Sequence, residues 1–122
     1  MTEIEYALRD LGLTMEQLEY LTEQGEVLEF QIDRVEKRQS DIHGYGMFAI
    51  EDIPAQTLIG LVSVNYKYKT LLGRYTNHSI NPNCLFVYLA NNDVVMISLR
   101  DISSGEELLI DYRDHLLNPQ YL

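Results

Sequence analysis

Three short segments of the chain carry most of the side chains whose type and spacing could do chemistry. A Gly-Tyr-Gly turn at residues 44–46 lets the backbone approach a ligand closely. An Asn-His pair at residues 77–78 places amide donors and acceptors beside an imidazole, a combination able to bind a heterocycle through hydrogen bonds. Residues 104–112 run from a turn into a mostly apolar stretch that ends in a tyrosine. Each segment alone is also typical of an ordinary turn, a polar loop or a buried strand, so only their combination can indicate a function.

Two predicted helices precede these segments. The apolar residues at helical spacing are Ile4, Ala7, Leu8 and Leu11. Gly12 closes this pattern, and Thr14 with Gln17 three residues later resembles a capping box that opens a second helix. We expect Gly25 to end that second helix. The spacing therefore predicts a helical hairpin over residues 1–25.

From residue 27 onward the helical period disappears and short β-prone runs follow one another. The predicted strands cover residues 27–30, 32–35, 47–50, 57–64, 85–89 and 94–99. The clearest hairpin spans residues 85–99, around an Asn-Asn-Asp turn. This pattern predicts a β-rich domain over residues 27–122, preceded by a helical N-terminal extension over residues 1–26.

Length, charge and cysteine content restrict the class of protein. The 122 residues, 46% of them hydrophobic, suffice for one domain with its own core. A net charge of -10 repels phosphate backbones, so we expect no direct nucleic-acid partner. We find no stretch of about 20 apolar residues and no signal peptide, which predicts no membrane partner and a cytoplasmic location. Cys84 is the only cysteine, which excludes an internal disulfide and a cysteine-based zinc cluster and predicts a small core residue.

Four motifs, taken in order, closely resemble the SET-domain family of protein-lysine methyltransferases. They are His43-Gly44-Tyr45-Gly46-Met47-Phe48-Ala49, Asp52-Ile53-Pro54, Arg74-Tyr75-Thr76-Asn77-His78-Ser79 with Pro82-Asn83, and Gly105-Glu106-Glu107-Leu108 ending in Asp111-Tyr112. The similarity covers residues 31–114, and the small size without zinc-binding flanks looks most like the compact virus-encoded members. The resemblance implies a mainly β, β-clip fold of small curved sheets. In the family fold the C-terminal segment threads beneath a loop as a pseudoknot, a rare exception to unknotted topology.

The resemblance also implies a cofactor and a role for each motif. In the family, the glycine turn and the Asn-His segment bind S-adenosylmethionine. The residues implied in cofactor binding are Gly44, Tyr45, Gly46, Arg74, Asn77 and His78. Tyr112 is implied as the catalytic residue, whose hydroxyl would orient the lysine amine and line the methyl-transfer pore. The product would be S-adenosylhomocysteine, and no metal is expected.

The segment before the Asn-His pair departs from the family pattern. The insert that normally forms one wall of the peptide groove is reduced to residues 65–73. Tyr66 and Tyr68 lie in this insert, where they could line the lysine channel or contact peptide, or else belong to an exposed edge strand. Ile80 stands where the family has a zinc-binding cysteine, so the C-terminal wall should come from residues 113–122 or from a second subunit.

The leading expectation is an enzyme that transfers methyl groups to lysine side chains of proteins. The acidic surface favours substrates with an accessible lysine in a basic segment. The alternative is a non-catalytic SET-like module that binds proteins, and the retained Tyr112 argues against it. Because one wall of the peptide groove is missing, we hypothesise that a second subunit supplies it in a homodimer. If the chain is viral, we expect it in the host cytoplasm.

Overall fold

Two short helices begin the chain, and a body of small β-sheets follows them. The computed structural model describes residues 2–23 and 26–115. The helices of the N-terminal segment are α1 (Glu3–Leu11) and α2 (Met15–Glu23).

The ends of these helices follow from local sequence. Gly12 closes α1 at a φ of 72°, in the left-handed region that favours glycine. The predicted capping box of α2 is confirmed: the Gln17 N–H donates to Thr14 Oγ1 at 3.1 Å, and the Thr14 N–H donates to Gln17 Oε1 at 2.8 Å. Gly25, the predicted end of the second helix, lies outside the described residues.

Within residues 2–23 and 26–115, the strands form three sheets. In chain order they are β1 (Glu26–Leu28), β2 (Val35–Gln39), β3 (Tyr45–Ala49), β4 (Leu58–Val64), β5 (Tyr68–Thr70), β6 (Asn77–His78), β7 (Cys84–Tyr88), β8 (Val94–Ser98) and β9 (Leu109–Ile110). The largest sheet has the order β1-β5-β4-β8-β7, while β2 pairs with β3 and β6 pairs with β9. Two further helices, α3 (Leu71–Tyr75) and α4 (Tyr112–His115), flank β6 and β9. The predicted mainly β fold of small sheets with two N-terminal helices is confirmed.

Individual strands agree with the sequence patterns to different degrees. The predicted hairpin over residues 85–99 is confirmed as β7 and β8, which pair antiparallel around a turn where Asn92 has a φ of 70°. The strand predicted over residues 32–35 is wrong except at its last residue. Arg34 forms a turn with a φ of 72°, so β2 begins only at Val35.

The short insert over residues 65–73 holds structure that the patterns did not predict. Asn65 and Tyr66 turn the chain with φ values of 53° and 56°, and β5 and α3 follow. The exposed edge-strand interpretation of Tyr66 and Tyr68 is wrong. Tyr66 precedes the strand, and β5 is an interior strand between β1 and β4.

One hydrophobic core joins the helices to the sheets. Its buried residues include Ile4, Leu8, Leu18, Val62, Leu72, Met96, Leu108 and Ile110. Cys84 is 1% exposed, so its predicted place in the core is confirmed, and burial raises the pKa of its thiol to about 12. Among the described helices, none has the length and apolar character needed to cross a membrane.

The parallel pairing of β6 with β9 determines where the motifs meet. Asn77 is aligned with Leu109, and His78 with Ile110. This pairing joins the Asn-His segment to the stretch that leads into Tyr112, although more than thirty residues separate them in the chain.

Candidate active site

A cavity of about 160 Å³ lies where α2, α3, β6 and the start of α4 approach the residue 43–45 turn. Its described lining residues are Leu18, Glu19, Glu23, His43, Gly44, Tyr45, Arg74, Tyr75, Asn77 and Tyr112. Among the predicted site residues, Gly44, Tyr45, Arg74, Asn77 and Tyr112 therefore share one cavity. Gly46, His78, Tyr66 and Tyr68 are not among the residues that line it.

The side-chain amide of Asn77 ties the glycine turn to the C-terminal segment. Its Nδ2 lies 3.0 Å from the His43 carbonyl oxygen, 3.1 Å from the Tyr45 carbonyl oxygen and 2.8 Å from Glu107 Oε2. All three neighbours are acceptors, so the group facing them must be the NH2 of the amide. The donors of Asn77 are thus engaged within the protein.

Glu107 completes this network and was missed by sequence reasoning. Its two carboxylate oxygens accept a hydrogen bond from Ser40 Oγ at 2.9 and 3.0 Å. Gly46 packs against this carboxylate so closely that a Cβ there would overlap it and would lie 3.2 Å from Asn77 Nδ2. A usable signal existed in the sequence, because a charged residue just before a buried strand requires partners of its own.

His78 does not line the cavity but positions the backbone of Tyr112, which does. The buried imidazole accepts a hydrogen bond at Nδ1 from the Tyr112 N–H, at 3.0 Å. Nδ1 is therefore unprotonated in this arrangement, and the proton of the neutral ring is on Nε2. Burial lowers the pKa of His78, and the nearby Asp111 carboxylate only partly opposes this shift.

The hydroxyl of Tyr112 is held in a buried position. It donates to the carbonyl oxygen of Thr76 at 2.7 Å, and the Tyr112 ring centroid lies 5.2 Å from that of His78. Burial raises the pKa of the phenol well above its usual value, so it remains neutral. A neutral hydroxyl that already donates to a carbonyl still has lone pairs with which to accept.

An ion pair fixes the chain on either side of this tyrosine. Arg113 donates through Nη2 to Asp111 at 2.6 Å and through Nε at 3.0 Å. Hydrogen bonds from Arg113 hold the pKa of Asp111 below its usual range. Arg113 also reaches Asp10 of α1 at 3.3 Å, which links the C-terminal segment to the N-terminal helices.

Aromatic rings and basic groups meet at one side of the cavity. The rings of Tyr45 and Tyr75 make an edge-to-face contact with centroids 6.3 Å apart. Lys37 Nζ lies 5.0 Å from the Tyr45 centroid and 4.6 Å from the Tyr75 centroid. The Arg74 guanidinium lies 5.0 Å from the Tyr75 centroid. Tyr75 and Lys37 were missed by sequence reasoning, since nothing local indicates that β2 and α3 meet there.

Helix α2 forms the remaining wall of the cavity. Glu19 faces His43 at 3.7 Å, and Glu23 faces Arg74 at 3.6 Å. Lys69 donates to the carbonyl oxygen of Leu21 at 3.2 Å, and burial, followed by repulsion from Arg74, lowers the pKa of this lysine to about 8. The sequence patterns placed α1 and α2 in a separate extension and did not predict that α2 borders the site.

Comparisons with known proteins agree with this architecture. Residues 62–113 match the family described as SET domain. The histone-lysine N-methyltransferase, H3 lysine-37 specific, of Schizosaccharomyces pombe is 33% identical over 113 residues, which cover 67% of this chain and 75% of that protein. The chain belongs to the SET domain family.

Two further relatives are much longer than this SET domain. The histone-lysine N-methyltransferase trr of Drosophila melanogaster is 32% identical over 115 residues, which cover 88% of this chain but 4% of that protein. The histone-lysine N-methyltransferase set1 of Dictyostelium discoideum is 26% identical over 117 residues, covering 66% of this chain and 8% of that protein. The chain thus spans less than a tenth of these two relatives.

Proposed function

We propose that this SET domain is an S-adenosylmethionine-dependent protein-lysine N-methyltransferase. The observation that carries the proposal is the shared cavity, which brings Tyr45, Arg74 and Asn77 together with the buried hydroxyl-bearing Tyr112. The names of the relatives, all histone-lysine N-methyltransferases, support the same reaction. The acidic chain favours protein substrates that present a lysine within a basic segment.

The cavity offers groups that suit the carboxylate and the charged or aromatic parts of S-adenosylmethionine. Arg74 can bind a carboxylate through its planar donors. The faces of Tyr45 and Tyr75, which already bind the Lys37 cation, suit a positively charged or aromatic group. Asn77 would act through the turn, because its amide holds the carbonyls of His43 and Tyr45. When bound, this cofactor supplies an electrophilic methyl group on a sulfonium.

The residues of the chain have two tasks, alignment and preparation of the amine. A lysine with a pKa of about 10.4 must lose its proton, which costs about 4.6 kcal/mol at pH 7. A buried channel lowers this cost because desolvation disfavours the ammonium. Well-oriented reactants can save about 7 to 11 kcal/mol of the barrier. The Tyr112 hydroxyl, directed by its bond to Thr76, would accept an N–H of the amine and aim its lone pair.

Several finer assignments form part of the proposal. Tyr66 is 42% exposed, which supports contact with peptide outside the cavity rather than with the cofactor. We assign Tyr68 to the same surface. We keep the division between a helical extension over residues 1–26 and a SET domain over 27–122, with the qualification that α2 borders the cavity. Kinship with compact virus-encoded members, a cytoplasmic location and a homodimer remain predictions.

A methyl-transfer assay with labelled cofactor and a whole-cell protein extract tests the proposal. We expect label on lysine, identified by mass spectrometry. Tyr112→Phe should lower turnover about a hundredfold because the amine loses its orientation, while cofactor affinity changes little. Tyr88→Phe is the matched control, since the Tyr88 hydroxyl contacts His115 Nδ1 at 3.0 Å outside the cavity. Tight cofactor binding without transfer would favour the protein-binding module, and label on arginine or nucleic acid would reject the mechanism.

A further inference from the structure

The wall that α2 contributes to the cavity is acidic. Glu19 and Glu23 are four residues apart, so they share one face of the helix, and both line the cavity. Among the described residues that line it, no other carries a carboxylate. The matched family segment begins at Val62, so this wall lies outside that match.

Among the described residues that line the cavity, carboxylates outnumber permanent cations. The carboxylates are Glu19 and Glu23, and the permanent cation is Arg74. His43, which faces Glu19, is charged only when protonated. The two carboxylates of α2 therefore decide the sign of the local balance. Replacing both by amides would make that balance positive.

Two aromatic rings of the cavity wall, those of Tyr45 and Tyr75, also attract cations through their faces. Lys37 Nζ lies within 5.0 Å of the Tyr45 centroid and 4.6 Å of the Tyr75 centroid, so the electron-rich faces of this ring pair already attract an ammonium. The ring faces and the acidic face of α2 come from separate elements, and both attract positive charge.

We propose that Glu19 and Glu23 make the cavity prefer S-adenosylmethionine over S-adenosylhomocysteine. This inference rests on the proposed function. During transfer the lone pair of the lysine amine forms the new C–N bond, and the electrons of the broken S–CH3 bond return to sulfur. The sulfonium becomes a neutral thioether, and the positive charge leaves on the methylated ammonium. Carboxylates that attract the substrate form lose this attraction for the product form, which promotes product release.

Calorimetric titration of the full chain with each of the two ligands measures this preference. We compare wild type with Glu19→Gln, Glu23→Gln and the double variant. The ratio of the Kd for S-adenosylhomocysteine to the Kd for S-adenosylmethionine should fall about two- to fivefold in each single variant, as expected for half-exposed charges. The double variant should show the product of both effects. Glu16→Gln, on the same helix but away from the cavity, is the control and should leave the ratio unchanged.

The ratio remains informative even if a variant is less stable, because both ligands bind the same folded fraction. A second measurement needs no variant. Added salt should shrink the ratio in the wild type, since the attraction is screened, and should affect it little in the double variant. Failure of both ligands to bind the wild type would reject the proposed function. Binding of both ligands with the same ratio in wild type and double variant would overturn this inference alone.

Discussion

The β6–β9 junction and helix α2 border the same cavity, but different forces hold them there. At the junction, His78 is 0% exposed and Asn83 is 2% exposed, and His78 Nδ1 and the Asn83 amide bind backbone groups of the C-terminal segment. On α2, the Glu19 and Glu23 side chains are 48% and 62% exposed, and they face His43 and Arg74, respectively, at more than 3.5 Å. One wall is built from buried hydrogen bonds and the other from solvated polar contacts.

This difference shows that one wall fixes the geometry of the cavity and the other sets its charge. A buried donor or acceptor that loses its partner has no water to replace it, so the junction has little freedom to shift. A solvated ion pair contributes little to stability and can be rearranged at small cost. We conclude that the junction determines where Tyr112 and the glycine turn lie, whereas α2 mainly sets the electrostatic character of the cavity.

Asn83→Ala should have the largest effect on stability. The Asn83 amide donates to the Glu107 carbonyl oxygen at 2.8 Å and accepts from the Leu109 N–H at 2.8 Å, so it substitutes for a missing strand partner. Alanine leaves two half-buried backbone groups unpaired, and we expect the free energy of unfolding to fall by about 3 kcal/mol in urea titrations. Asn81→Ala, at an exposed position of the same loop, is the control. Equal losses in both variants would show that the junction is not held as described.

Gly46→Ala should have the next largest effect on stability. Gly44→Ala separates the effect of packing against Glu107 from the effect of backbone conformation in the turn. At Gly46 a Cβ would overlap the Glu107 carboxylate, so we expect a loss of about 2 kcal/mol in the free energy of unfolding. At Gly44 a Cβ meets nothing within 4 Å, and the φ of 50° alone should cost about 1 kcal/mol. Thermal unfolding of both variants measures the difference. A larger loss at Gly44 would mean that backbone conformation, not packing on Glu107, limits the turn.

Buried imidazoles near the junction predict a pH dependence of stability. Burial lowers the pKa of both His78 and His115 below the usual 6.5. The unfolded chain then binds more protons, so the free energy of unfolding should be highest above pH 6.5 and fall as the pH drops below it. His115→Phe, which keeps a ring against Phe86, should flatten this fall between pH 7 and 5 in urea titrations. An unchanged slope in this variant would contradict the role of His115.

Glu23→Gln should have the smallest effect on stability. Its ion pair with Arg74 is solvated, so the free energy of unfolding should change by less than about 0.5 kcal/mol. Glu16→Gln is the matched control on the same helix. A loss above about 2 kcal/mol at Glu23, with none at Glu16, would erase the contrast between the two walls, because it would make α2 a structural support of the cavity.

Features encoded by neighbouring residues were predictable from the sequence. The Thr14-Gln17 capping box and the hairpin around Asn92 each depend on a few adjacent residues, and the structure contains both. The four ordered motifs indicated the SET fold because their combination is specific even though each is weak. Those same motifs named Tyr112 and the glycine turn, which the fold brings to one cavity.

Contacts between segments far apart in sequence decided the features of the fold and the cavity that local patterns did not predict. The interior position of β5, the contact of Lys37 with Tyr75 and the approach of α2 to Arg74 all join segments far apart in sequence. A helical or strand period shows which face of an element is apolar, but it does not name the surface that covers it. Only the tertiary structure pairs the half-buried Glu107 with Asn77, because a carboxylate accepts whichever donors the completed fold presents to it.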